Sequence, residues 1–141
     1  MKVELIEDIE NEPVSLAELK AFMKVTGSAH DSILQAMNTS ARVYLEKATG
    51  LSFAPKTLKV TSDYKLEEWE LPYGPVNEIT DEDEGDDYTY TYTTGYDDLP
   101  DDLKLGIKMT VKHWYDIDDI ASEVPNAVKK VIQINQETPI L

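Results

Sequence analysis

Cysteine is absent from this chain of 141 residues. Disulfides, thiolate nucleophiles and cysteine-ligated zinc or iron–sulfur centres are thereby excluded, so core packing or partner subunits must hold the fold. Bases are scarce: 13 Lys and Arg stand against 28 Asp and Glu, for a formal charge of −15. That sign opposes a tight grip on nucleic-acid phosphates, which needs a basic surface. An acidic surface also favours solubility, so the charge by itself identifies no partner. Long apolar runs are missing too. No stretch approaches the roughly 20 apolar residues that span a bilayer, and Met1 to Asn11 carries acids where a secretory signal has a basic patch and an apolar run. The expectation is a soluble protein made in the cytoplasm, without membrane contact, and its length suits one domain.

What is present reads as helices flanking a small sheet. Ser15-Leu16-Ala17-Glu18 matches a capping box and opens a first helix over 15–26, with Leu16, Leu19, Phe22 and Met23 as its apolar stripe and Gly27 as its stop. A second helix over 31–49 carries Ile33, Met37, Ala41, Tyr44, Leu45 and Ala48 on one face; Lys47 suits its negative end and Gly50 ends it. The period then changes to two. Leu58, Val60, Ser62 and Tyr64 alternate with Thr57, Lys59, Thr61 and Asp63, as in a half-buried strand. Trp69 to Leu71 and Val76 to Thr80 read as short strands around the turn Pro72-Tyr73-Gly74-Pro75. Asp81 to Asp87, six acids around Gly85, reads as a loop, and Tyr88-Thr89-Tyr90-Thr91-Tyr92-Thr93 as a strand, giving a hairpin with an acidic tip. Leu99-Pro100-Asp101-Asp102 announces a helix over 100–118, with Leu103, Ile107, Val111, Trp114 and Ile117 buried. Pro125 opens a last helix over 125–134, carrying Val128, Val131 and Ile132.

The expected fold is therefore α+β and mainly helical: about four helices, with a small antiparallel hairpin or sheet, its strands within 57–94, inserted between the second and third. Residues 1–14 form an acidic N-terminal arm, 15–135 a single domain and 136–141 a C-terminal tail.

Motifs that carry chemistry are hard to find. Asp81, Asp83 and Gly85 suggest a calcium loop, but glycine falls fifth where the motif needs it sixth and the closing Glu is out of place. With 28 acids, any carboxylate pair chosen for acid–base catalysis is arbitrary. His30 and His113 lie on different elements, outside any two-His helical motif. No Gly-x-Ser-x-Gly elbow or phosphate-cradling loop occurs. No catalytic residue, metal ligand or cofactor is expected. In His113-Trp114-Tyr115, Trp114 belongs to the buried stripe. The face made by Tyr88, Tyr90 and Tyr92 suits either core covering or a subunit interface, since tyrosine buries large area at low entropic cost.

The ordered set of a capped first helix, Tyr44-Leu45-Glu46-Lys47-Ala48-Thr49-Gly50, Leu71-Pro72-Tyr73-Gly74-Pro75-Val76, Tyr92-Thr93-Thr94-Gly95-Tyr96, Leu99-Pro100-Asp101-Asp102-Leu103-Lys104 and His113-Trp114-Tyr115 resembles the head–tail connector (adaptor, head-completion) family of tailed bacteriophages and prophages. The resemblance spans roughly Ser15 to Val131. The sequence departs from the family pattern in its acidic hairpin tip and after Gln133.

The resemblance implies a structural virion protein of the neck: a homo-oligomeric ring under the portal protein that extends the DNA channel and offers the attachment site for a stopper or tail-completion protein. It implies no catalytic residues. A ring needs two different matching faces on each subunit, and Pro72, Tyr73, Pro75, Val76, Tyr88, Tyr90 and Tyr92 are the interface candidates on one of them. Asp81, Glu82, Asp83, Glu84, Asp86 and Asp87 are candidates to face the channel, through which DNA passes without specific binding. Assembly is expected in the bacterial host cytoplasm. The rival readings are another neck or tail-completion protein and, from a different class, an acidic module that mimics DNA to occupy a basic protein; an enzyme ranks third.

Overall fold

The computed structural model describes residues 1–120 and 122–136; the expected tail beyond Gln136 lies outside the described residues. The chain forms two compact units, Met1–Asn11 with Gly50–Asp98 and Glu12–Thr49 with Leu99–Leu141, where the sequence reading expects one domain over 15–135.

The first unit is a four-stranded antiparallel sheet in the order β1-β2-β4-β3, built from β1 (Lys2–Glu7), β2 (Lys56–Ser62), β3 (Val76–Glu84) and β4 (Tyr88–Thr94). Its core forms where the period-two pattern puts apolar groups on one face: Leu58, Val60, Tyr90 and Tyr92 are buried together with Leu66 and Leu71 from the segment between β2 and β3. The other face of the two central strands is threonine-rich and half-buried, with Thr57, Thr61, Thr89, Thr91 and Thr93.

Three expectations are corrected in this unit. Lys2–Glu7 is an edge strand rather than part of an acidic arm; Glu4 lies opposite Lys59 in the ladder and pairs with Lys2 on its own strand at 3.4 Å. Glu68–Glu70 is a single 3₁₀ turn rather than a strand, leaving Trp69 71% exposed. Asp81 to Glu84 is not loop but the second half of β3, and only 85–87 turn the hairpin. Charge repulsion does not prevent that strand, because its one neighbour, β4, is neutral and its carboxylates stay in water.

Among the described residues the second unit is four helices: α1 (Leu16–Met23), α2 (Asp31–Thr49), α3 (Asp101–Ile117) and α4 (Asn126–Asn135). Ser15 Oγ accepts from the Glu18 amide at 3.1 Å, so α1 begins where the capping signal sets it. It stops earlier than expected, at a left-handed Lys24 instead of Gly27, with the Lys24 and Val25 amides closing onto the Ala21 and Lys20 carbonyls. The stripe expected on α2 holds at Met37, Ala41 and Leu45, which are buried, but Leu34 is buried in place of Ile33, and Ile33 and Tyr44 are exposed. On α3, Leu103, Ile107, Val111 and Trp114 are buried and Ile117 faces water. Gly106 lets α3 come close to its neighbours: a Cβ there would lie 3.4 Å from Val131 Cγ1 and 3.6 Å from Leu45 Cδ1.

Two polar residues on the buried face of α2 secure the segment that leads into α1. Asn38 Nδ2 donates to the Val14 carbonyl at 2.8 Å. Arg42, 5% exposed, donates from Nε to Glu12 Oε2 and from Nη1 to Glu46 Oε1, both at 2.7 Å, and from Nη2 to Glu12 Oε1 at 3.1 Å. Burial alone depresses the Arg42 pKa, but its hydrogen bonds to Glu12 and the nearby Glu46 and Glu12 charges outweigh that and hold it above the ordinary value. Removing only the cation takes a close partner from the buried Glu46 carboxylate and the half-buried Glu12 carboxylate. Arg42→Met should therefore cost about 3–5 kcal/mol of unfolding free energy, and Arg42→Met with Glu46→Leu markedly less. Urea denaturation of the two variants checks this; equal losses contradict it.

Candidate functional site

The candidate residues fall on the second half of the sheet unit, at opposite ends of the β3–β4 ladder. At one end is the turn Pro72 to Val76, which leads into β3 beside Thr94 and carries a cis Gly74–Pro75 bond and a Tyr73 at φ 58. A tyrosine in the left-handed region is held there only if its surroundings fix it. Here the hydroxyls do so. Tyr92 OH donates to the Pro72 carbonyl at 2.5 Å, Ser52 Oγ to the Tyr73 carbonyl at 2.7 Å, and Thr94 Oγ1 lies 2.5 Å from the Tyr73 and 2.8 Å from the Pro75 carbonyl. The Ser52 amide closes on the Gly74 carbonyl at 2.7 Å and the Gly95 amide on the Pro75 carbonyl at 3.0 Å. The result is a braced turn whose Pro72, Tyr73, Pro75 and Val76 are each partly exposed.

The tyrosines separate into two roles. Tyr92 is fully buried and Tyr90 is 6% exposed, its hydroxyl accepting from the Leu66 amide at 2.9 Å; both are core, not accessible surface. Tyr88 packs only partly against that cluster and keeps an outer face. Of the seven interface candidates, Pro72, Tyr73, Pro75, Val76 and Tyr88 thus remain available to a partner. Sequence reasoning missed Ser52 and Thr94, the buried hydroxyls that brace the turn. No motif marks them, because each works through a carbonyl 19 to 21 residues away.

At the other end of the ladder lies the acidic edge. Asp81, Glu82, Asp83 and Glu84 are all exposed on β3, and Asp86 and Asp87 are exposed in the turn, where the Gly85 amide bonds the Asp87 carbonyl at 3.0 Å. Asp81 and Asp83 lie opposite Thr91 and Thr89, and Glu82 and Glu84 opposite Tyr90 and Tyr88, so carboxylates leave the strand toward both faces of the sheet. The ion pair from Lys65 to Glu84, at 3.8 Å between side chains about 70% exposed, offsets little of this charge. Such an edge repels phosphate and also another acidic strand.

The charge is unevenly shared. The sheet unit holds 17 of the 28 acids and 4 of the 13 bases, a net −13; the helical unit holds the remaining 11 and 9, a net −2. This segregation was available to sequence reading as a count by segment. Among the described residues no cluster of three or more His and acidic side chains could hold a metal ion, and no helix is long and apolar enough to cross a membrane.

Comparison with known proteins gives a consistent result. A family model described as Phage gp6-like head-tail connector protein matches residues 13–138. No curated protein matches in sequence. Three solved chains are similar in fold, each matched over 100% of this chain and 98% of its own: one from the neck of an empty gene transfer agent particle computed with C6 symmetry (14% identity, TM-score 0.78), one from the virion of the native particle (16%, 0.79) and one from the native neck computed with C12 symmetry (14%, 0.75).

The bracing of the turn can be tested at Gly95, which sits at φ +106 and would place a Cβ 2.1 Å from the Ala54 carbonyl oxygen. Gly95→Ala should destabilise the protein by about 2 kcal/mol or more, through strain at a special φ and backbone overlap. Gly85→Ala, with nothing within 4 Å of the new Cβ, should leave the melting temperature nearly unchanged. Calorimetry that ranks the two the other way contradicts this account.

Proposed function

Because the chain belongs to the Phage gp6-like head-tail connector family, whose members are structural parts of the virion neck, we propose that its copies close into a ring under the portal, extend the DNA channel and present the site where a stopper or tail-completion protein attaches. The observation that carries this reading is the family match over residues 13–138, which takes in nearly all of both units. The solved chains of like fold add support for the ring, since two of them come from necks computed with C6 and C12 symmetry. The protein acts in the neck of the particle after assembly in the bacterial host cytoplasm.

In this reading Pro72, Tyr73, Pro75, Val76 and Tyr88 meet neighbouring proteins, and Asp81 to Asp87 faces the channel. The physics suits a conduit. Duplex DNA carries one negative charge per about 1.7 Å, and carboxylates repel it within a Debye length of about 10 Å at 0.1 M salt, so the cargo slides past without being held. Disrupting the gene should leave unjoined heads, free tails and heads that have lost DNA in electron micrographs; normal infectious particles would sink the connector role. Replacing the six acids between Asp81 and Asp87 with Asn and Gln should leave joined particles in normal number but slow DNA release. Unchanged release means the edge is only solvated surface.

A further inference from the structure

The sheet unit has an apolar face that is not fully covered. Val3 and Leu5 on β1 lie opposite Val60 and Leu58, so they extend the face that buries the sheet core. They are nonetheless 40% and 53% exposed, and Ile6, at the bulge that follows, is 54% exposed. An edge strand with an uncovered apolar strip is a surface that natural proteins cover or pair.

The helical unit has an apolar recess of its own. Ile33, Ala36 and Met37 of α2 and Ile120, beyond the end of α3, line a groove of about 400 Å³, with Asp118 and Asp119 also in its wall. Ile33 and Ile120 are 46% and 59% exposed. Ile33 is a position at which the observed face of α2 departs from the expected stripe, so an apolar residue that periodicity assigns to the core instead opens onto the groove.

Charge decides what can cover each. Joining the sheet of one copy to the sheet of the next brings together two surfaces of net −13, with Glu4 and Glu7 on one edge and Glu78 and Asp81 to Glu84 on the other. The helical unit, at net −2, is the least repelling partner, and Lys2, 73% exposed at the start of β1 and 3.4 Å from Glu4, puts a cation on the same strand as the strip. Two unlike patches that fit each other make a head-to-tail contact, which is the type that closes rings.

We propose that each contact in the ring seats the strip Val3, Leu5 and Ile6 of one copy in the groove formed by Ile33, Ala36, Met37 and Ile120 of the next. This rests on the ring reading above and names its contact. Since the chain has no cysteine, a disulfide placed across the contact is unambiguous. Leu5→Cys with Ala36→Cys in one chain, oxidised in purified particles, should give a ladder of covalent multimers that collapses on reduction. Leu5→Cys with Ile134→Cys, whose second site is 69% exposed on α4, should give none. In addition, Leu5→Asp, at an exposed site, should lower the ring fraction at least tenfold without changing the unfolding curve of the subunit. Rings seen by electron microscopy without the ladder overturn this contact and leave the ring reading intact. A protein that is monomeric both when purified and inside particles overturns both.

Discussion

Mutual repulsion of carboxylates is the constraint from which most of this structure follows. Two like charges 4 Å apart cost about 1 kcal/mol in water and about four times that near a protein surface, and this chain has 28 acids to 13 bases. Each acidic strand is accordingly at an edge of the sheet, beside a strand that does not repel it: β1 places Glu4 against Lys59 of β2, and β3 places its acids against the tyrosines and threonines of β4. The order β1-β2-β4-β3 keeps the two acidic strands as far apart as a four-stranded sheet allows. Among the described residues the buried acid is Glu46, and it is bonded to Arg42.

The neutral strand between these demands has two tasks. The tyrosines of β4 fill the sheet core from one face, and their hydroxyls reach backbone groups outside the ladder, Tyr90 at Leu66 and Tyr92 at Pro72. Phenylalanine would fill the same volume but leave a buried amide and a carbonyl unpaired, at a cost of about 1–3 kcal/mol each. The Tyr/Thr repeat is thus more than strand propensity. The same Tyr92 side chain that packs the core also fixes the Pro72 to Val76 turn.

Elements whose signal is local were legible in the sequence. The four helices, the β2 and β4 strands, the Ser15 cap and the braced turn all appear close to where periodicity and turn residues put them. What misled was any segment whose fate depends on a partner strand. Composition makes Asp81 to Glu84 a loop, and only pairing with β4 makes it a strand; the acids of β1 hide it in the same way. On α2 the stripe holds at Met37, Ala41 and Leu45 and misses at its margins for a different reason: Ile33 and Leu34 are both apolar, so the pattern cannot choose between them, and packing buries Leu34 and leaves Ile33 and Tyr44 exposed. For the candidate site, the turn and the acids were visible while their exposure was not: Tyr90 and Tyr92 could be assigned to core only once Leu66 and Leu71 were seen to cover them.

In the proposed connector the requirements on charge are opposed, because whatever repels the DNA phosphates repels another copy as well. On that reading, spreading −15 evenly would weaken both the channel and the ring. Concentrating −13 in the sheet unit and leaving −2 in the helices would then separate the two tasks within one chain. Salt sharpens the separation, since screening confines the repulsion to about 10 Å, so a carboxylate affects what lies directly against it and little else. The uneven charge therefore constrains which surfaces can meet more strongly than any one contact residue does, and it leaves the apolar strip on β1 and the groove beside Ile33 as surfaces that do not share the same repulsion.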